Sequence, residues 1–243
     1  MKYTRLPNQS ADDIQRREAL RVAEVELMRH TERVAAMRRE LPTGPTVEDY
    51  LFLEGPRDLA AGDDPVTEVR LSELFTGSNR TLVMYQFMYG KRQTSPCPMC
   101  TMWIDSYDGA AQHLAQNVDF VIAAAAEPVL LRQHARNRGW RNLRLLSCGE
   151  STFKYDLGSE DAEGNQDSTI SVFTRDESGQ VRHFYSGHPR MADDISERGI
   201  DLLTPVWNLL DLTPQGRGDW YPELAYAPPA GSGDRTSSRV EPR

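Results

Sequence analysis

The chain has 243 residues, of which 39% are hydrophobic and 26% charged, and its formal net charge is -8. This is enough for a real core in one large domain, or one domain with extensions. It argues against nucleic acid as a partner, since no basic stripe rises above the acidic background, and no apolar run approaches the roughly 18 residues of a membrane span.

Residues 10–41 read as one long helix, with Ser10 and Asp13 spaced as in a capping box. Leu20, Ala23, Leu27, Val34, Met37 and Leu41 keep an a/d heptad spacing, and His30 takes the remaining d position. Such a stripe either packs on the helix's own domain or pairs two copies into a homodimer. Pro42-Thr43-Gly44-Pro45 stops the helix. Residues 47–53 look like a short strand, 54–65 a loop rich in Gly, Pro and Asp, and 71–75 a single helical turn. Gly77-Ser78-Asn79 leads into the apolar run 82–88, a buried strand.

Beyond the amphipathic stretch 103–114 come a strand at 118–126, a helix at 129–138 and a strand at 143–146. That alternation requires right-handed crossovers and parallel pairing. Residues 156–168 are acidic and rich in Gly and Ser, so a surface loop is expected. Segments 169–174 and 180–185 flank Asp176-Glu177-Ser178-Gly179, a hairpin signal. Residues 205–212 should form a terminal helix with Pro205 in its first turn. Residues 228–243 lack apolar periodicity and should be disordered. The expected division is a helical extension at 1–45, an α/β domain with a mixed sheet of about five strands at 46–226, and a tail at 227–243.

The chemistry-bearing feature is Cys97-Pro98-Met99-Cys100, set between the buried strand and the amphipathic helix. Residues three apart on a helix share a face, so the two thiols can pair. Pro98 suits the first helical position because it has no N–H to leave unpaired, which makes Cys97 the N-cap. There the helix dipole and free backbone N–H groups favour an anion. Cys97 is therefore the expected nucleophile and Cys100, one turn in, the resolving thiol. Three other readings compete: a structural staple, worth roughly 2 kcal/mol for so short a loop; a zinc site, for which only Cys148, His183 and His188 remain and which wants four ligands; and inert core thiols. Pro96 and Pro98 argue against full burial of Cys97.

Trp103 and Tyr107 lie one and two turns beyond Cys100, either as core or as a wall that shields the thiols from water. Asp105 and Asp108, on the same helix, would move protons if buried beside the sulfurs, or else cap or face solvent. Cys148 follows the strand at 143–146, either as a third redox thiol or as a free, partly buried Cys. His113, His134, His183 and His188 show no pairing that singles one out. Three cysteines and no secretory signal within residues 1–13 point to the cytoplasm and reduced thiols.

The order of Cys-x-x-Cys helix, strand-helix-strand and hairpin resembles the thioredoxin fold. More narrowly, Tyr85-Gln86-Phe87-Met88-Tyr89-Gly90, the block from Cys97-Pro98-Met99-Cys100-Thr101-Met102-Trp103 to Ile104-Asp105-Ser106-Tyr107-Asp108-Gly109, Arg138-Gly139-Trp140, Ser171-Val172-Phe173-Thr174-Arg175-Asp176 and Asp211-Leu212-Thr213-Pro214-Gln215-Gly216-Arg217 are similar to a bacterial family, domain-of-unknown-function family 899. The likeness runs over roughly residues 12–226. Its members are described as predicted dithiol-disulfide oxidoreductases related to thioredoxin and alkyl hydroperoxide reductase. The resemblance implies a thioredoxin-like fold and redox chemistry, with a thiol or disulfide substrate and a thiol electron donor, no organic cofactor and no metal. It implies no particular substrate.

Two departures matter. Thioredoxins place a cis-proline before the first hairpin strand, facing the cysteines. Here that place is near Ser168, and no Pro occurs between 156 and 174, which argues against general protein-disulfide reduction. The peroxiredoxin pattern Pro-x-x-x-Thr-x-x-Cys is met by Thr94 and Cys97, but Gly90 stands where the Pro should be. A thiol peroxidase acting through a Cys97 sulfenate is the second enzymatic reading. A non-enzymatic binding or zinc-holding protein is the third.

Overall fold

The computed structural model describes residues 7–78, 80–149, 151–194 and 198–226. The chain divides into two units, Met1–Gly44 and Pro45–Arg243. The first is built on helix α1, Ala11–Arg39. The Ser10 hydroxyl accepts the Asp13 N–H at 3.0 Å, while the Asp13 carboxylate pairs with Arg17 at 3.0 Å rather than closing a capping box. No residue of α1 is buried; Leu20, Leu27 and Met37 are each more than half exposed.

The second unit is a seven-stranded mixed sheet with flanking helices. Its strands are β1 (Leu51–Glu54), β2 (Thr67–Arg70), β3 (Leu82–Phe87), β4 (Asp119–Ala124), β5 (Arg144–Ser147), β6 (Thr169–Arg175) and β7 (Val181–Gly187), in the order β2-β1-β5-β4-β3-β6-β7. The helices are α2 (Pro98–Leu114), α3 (Pro128–Arg138), the single turn α4 (Phe153–Asp156) and α5 (Pro205–Leu210), with 3-10 turns at Leu71–Leu74 and Asp201–Leu203. β3, β4 and β5 are parallel, joined through α2 and α3 as the alternating pattern requires. β6 and β7 form the antiparallel hairpin beside β3. This is the thioredoxin-like arrangement, with α1 preceding it.

The sheet is larger than expected. β1 and β2 extend it antiparallel past β5. β2 escaped notice because only Val69 among Thr67-Glu68-Val69-Arg70 turns inward. Side chains alternate along β3: Tyr85 and Phe87 join the core under α2 and α3 with Trp103, Ile104 and Trp140, while Leu82 and Met84 join Phe52, Leu74, Phe153 and Phe173 on the other face.

The segment expected as a surface loop at 156–168 is partly internal: Ser159, Gln166 and Ser168 are buried. Polar pairing explains this. The Ser159 hydroxyl donates to the Gln86 side-chain carbonyl, the Gln166 amide donates to the Gly90 carbonyl at 2.8 Å, and Lys91 pairs with Glu160 at 3.0 Å. The loop is thereby tied across the C-terminal end of β3. Gly90 sits in that junction at φ +97°, and a Cβ there would lie 2.1 Å from the Ala126 nitrogen. Among the described residues no helix is long and apolar enough to cross a membrane. The tail at 227–243 lies outside the described residues, as does Asn79.

Candidate functional site

Phe87, Ala124 and Ser147 lie side by side at the C-terminal ends of β3, β4 and β5, and α2 begins just past that edge. Pro98 opens the helix and Cys97 is its N-cap, in extended backbone. The Cys100 N–H donates to the Cys97 sulfur at 3.5 Å, and the Cys97 N–H donates to the Met88 carbonyl at 3.1 Å. Cys97, Cys100 and Cys148 are all free thiols.

The environment splits the two thiols. The Cys100 thiol, the Cys100 and Met99 N–H groups and the Tyr221 hydroxyl favour the Cys97 anion against the cost of burial, and bring it from 9.0 down to about 7. Burial, then the adjacent Cys97, push Cys100 well above the usual thiol range. A helix N-terminus accounts for the direction at Cys97, and a hydrocarbon pocket for that at Cys100.

Cys97 is only 7% exposed, more covered than its flanking prolines suggest. It looks into a cleft of about 90 Å³ lined by Cys100, Trp103, Ser168, Arg190 and Tyr221 among others. Ser168, expected near the thiols, lines the same cleft as Cys97 and Cys100. Arg190 pairs with Asp167, also of the cleft, at 3.2 Å. Tyr221 is delivered by the segment 211–217: Arg217 bonds Asp211 at 2.7 Å and Asp201 at 2.6 Å and lies 5.0 Å over the Trp207 ring. Trp207 in turn meets Trp220 edge to face at 5.4 Å.

The remaining expected residues fall elsewhere. Trp103 is buried and lines the cleft. Thr94 is exposed on the preceding turn and does not line it. Thr101 is the buried threonine: its hydroxyl bonds the Cys97 carbonyl at 2.9 Å and His134 Nε2 at 3.1 Å. Burial and Arg138 hold His134 down at about 4, so its ring is neutral. Asp105 accepts the Trp140 indole N–H at 2.7 Å and pairs with Arg138. Asp108 accepts the Arg141 and Asn142 N–H groups at 2.9 and 2.8 Å. Both carboxylates therefore lock α2 to the end of α3, and neither lines the thiol cleft.

Cys148 is buried, its sulfur 3.2 Å from the Ala124 carbonyl. His188 bonds Thr169 at 3.1 Å and His183 bonds Ser186 at 2.7 Å. Among the described residues no three His, Cys, Asp or Glu side chains gather to hold a metal.

Sequence reasoning missed Tyr221, which joins the site from more than 100 residues away. The aromatic pair Trp220-Tyr221, standing just past two glycines, was its only signal. It also missed Lys154, which is fully buried and donates to the Phe87 carbonyl at 3.3 Å.

A family described as bacterial protein of unknown function (DUF899) matches residues 4–229. No curated protein matches the chain. Among solved structures, the reduced 2-Cys peroxiredoxin of Plasmodium vivax is 12% identical, with 66% of this chain and 91% of that one covered at a TM-score of 0.45. AhpC of Enterococcus faecalis is 11% identical, covering 66% and 87% at 0.46. AhpC of Mycobacterium bovis is 16% identical, covering 74% and 98% at 0.44.

Proposed function

The chain belongs to this bacterial family of unknown function, and we propose that it is a thiol-disulfide oxidoreductase working through Cys97 and Cys100. The observation that carries this reading is the Cys97 sulfur: an N-cap thiol drawn down to about 7, facing a cleft, with a second free thiol one turn behind it. The Cys97 thiolate attacks a substrate disulfide, forming a mixed disulfide and releasing one thiolate. Cys100 then displaces the second substrate thiol, which leaves with a proton. The substrate gains two electrons, the Cys97–Cys100 bond forms, and a separate thiol donor reduces it again. Such a cycle suits a reducing compartment such as the cytoplasm.

The cleft favours small substrates. A volume of about 90 Å³ is room for only a few water-sized molecules, and an extended protein segment would have to displace Tyr221. The same narrowness supports a second reading, reduction of a peroxide. Cys97 would take one oxygen to become a sulfenic acid, releasing an alcohol or water. Cys100 would then condense with it, forming the disulfide and releasing water.

A Cys100→Ser variant tests the site, since it should accumulate a mixed disulfide at Cys97 when given a small aliphatic disulfide. Parallel turnover assays with that disulfide and with hydrogen peroxide, each driven by a dithiol, decide between the readings. No adduct and no turnover with either would overturn both.

A further inference from the structure

Cys100 lies in a core that holds three buried donors. It is 1% exposed, and among the described residues the Tyr85 hydroxyl, the Tyr107 hydroxyl and the Trp103 indole N–H, all buried, meet no hydrogen-bond partner. Trp103 and Tyr107 follow Cys100 at three and seven residues on α2, the spacing of one helix face. Tyr85 reaches the same place from β3, its ring 5.9 Å from Trp103 and 5.4 Å from Tyr107, edge to face in both cases. Buried donors are ordinarily satisfied, and each exception calls for a reason.

The nucleophile that shares a core cluster with these donors is Cys100. A neutral thiol is a poor acceptor, whereas a thiolate is a strong one. We propose that Tyr85 is a catalytic residue whose hydroxyl donates to the Cys100 thiolate as that sulfur attacks the mixed disulfide on Cys97. The inference rests on the dithiol reading above and assigns the group that makes its second step possible. In that step Cys100 gives up its proton, its sulfur bonds the Cys97 sulfur, the Cys97–substrate S–S bond breaks, and the departing substrate thiolate takes up a proton.

The titratable groups that face Cys100 agree with this. Burial, then Cys100, Tyr107 and Cys97, keep the Tyr85 phenol protonated throughout the working range. Burial and Cys100 do the same for Tyr107. Tyr85 and the Met88 N–H both favour the Cys100 anion. Lys154 is also buried, and burial favours its neutral form; its amine donates to the Phe87 carbonyl, and the N–H of that same peptide group, that of Met88, favours the Cys100 anion. Of the three donors, Tyr85 is the one whose hydroxyl favours the Cys100 anion.

The test is Tyr85→Phe in the full chain, which keeps the ring and deletes the uncommitted hydroxyl, so the fold should melt within a few degrees of the parent. Dipyridyl disulfide releases one chromophoric thiopyridine when Cys97 attacks and a second when Cys100 resolves. The expected result is an unchanged first release and a second release slowed by about ten-fold, the value of one hydrogen bond to a charged group. In a Cys97→Ser, Cys148→Ser background, the alkylation midpoint of Cys100 should also move to higher pH on Tyr85→Phe. A second release as fast as in the parent, with an unmoved Cys100 midpoint, overturns the role of Tyr85 and leaves the dithiol reading standing. A parent protein with no second release overturns the dithiol reading itself.

Discussion

The Cys100 N–H points at the Cys97 sulfur from 3.5 Å, so the residue one turn into α2 stabilises the anion at its N-cap. The Cys100 thiol adds the largest share of the fall in Cys97 to about 7. Alkylation of Cys97 in the reduced protein should therefore rise with a midpoint near pH 7, while Cys100 and Cys148, both pushed up by burial, stay unreactive there. Cys100→Ala should move the Cys97 midpoint upward, because it removes the thiol donor and keeps the N–H. Mass-spectrometric quantification of each labelled cysteine reads both effects, and a midpoint near 9 in the parent would remove the basis for Cys97 as nucleophile.

The same shift ties stability to pH. The Cys97 thiol titrates lower in the folded chain than its ordinary value of 9.0, so the anion favours folding. The contribution is complete above pH 9 and lost as pH falls through 7. Reduced protein should gain about 2 kcal/mol between those limits relative to Cys97→Ala, since the full two-unit differential is about 2.7 kcal/mol and the titration is incomplete at either limit. Urea unfolding of both proteins at pH 6.5 and 9 measures it, and parallel curves for the two would contradict it.

Asp105 offers a contrast between structure and chemistry. Its carboxylate holds the Trp140 indole N–H and the Arg138 guanidinium. Asp105→Ala leaves the buried Trp140 indole donor without its acceptor and Arg138 without its carboxylate, with only the Leu224 carbonyl and the Tyr226 hydroxyl remaining, at a cost of about 2 kcal/mol. Cys97 reactivity and its pH midpoint should not move. A midpoint shift without loss of stability would restore Asp105 to the proton chemistry.

These residues also show what the sequence could disclose. The N-cap position of Cys97 was legible because Pro98 and the apolar strand before it are local signals, and local signals survive folding. The alternation of 118–126, 129–138 and 143–146 gave the parallel centre for the same reason. The role of Asp105 was not legible, because its partners sit on the end of α3 and only packing brings them together. Lys154 reads as a solvated charge in a polar stretch, yet the loop tied down by Gln86, Ser159 and Gln166 buries it completely. Tyr85 reads as one more core aromatic; only packing leaves its hydroxyl without a hydrogen-bond partner among the described residues.

Gly90 marks how tightly the site's base is built. A side chain there would meet the Ala126 backbone nitrogen at 2.1 Å, and φ is +97°. Both features exclude the proline that the peroxiredoxin pattern places at this position. Gly90→Ala should cost about 3 kcal/mol or more, and urea midpoints of the purified variant test this. A loss under about 1 kcal/mol would mean that the turn relaxes freely.

Tyr221 adds a minor share to the acidity of Cys97 and lines its cleft, and two substitutions separate these effects. Its hydroxyl favours the Cys97 anion, so Tyr221→Phe should raise the alkylation midpoint modestly and leave substrate size preference alone. Tyr221→Ala removes the ring that helps close the cleft. Reaction with a bulky aromatic disulfide should then accelerate by about ten-fold relative to a small aliphatic one, because the larger substrate no longer spends binding energy displacing the ring. The ratio of the two rates is the informative quantity, since it cancels any common change in thiolate fraction. If Tyr221→Ala slows both disulfides equally, the ring acts on the thiol alone, and the selectivity of the cleft must come from the Ser168 and Arg190 side.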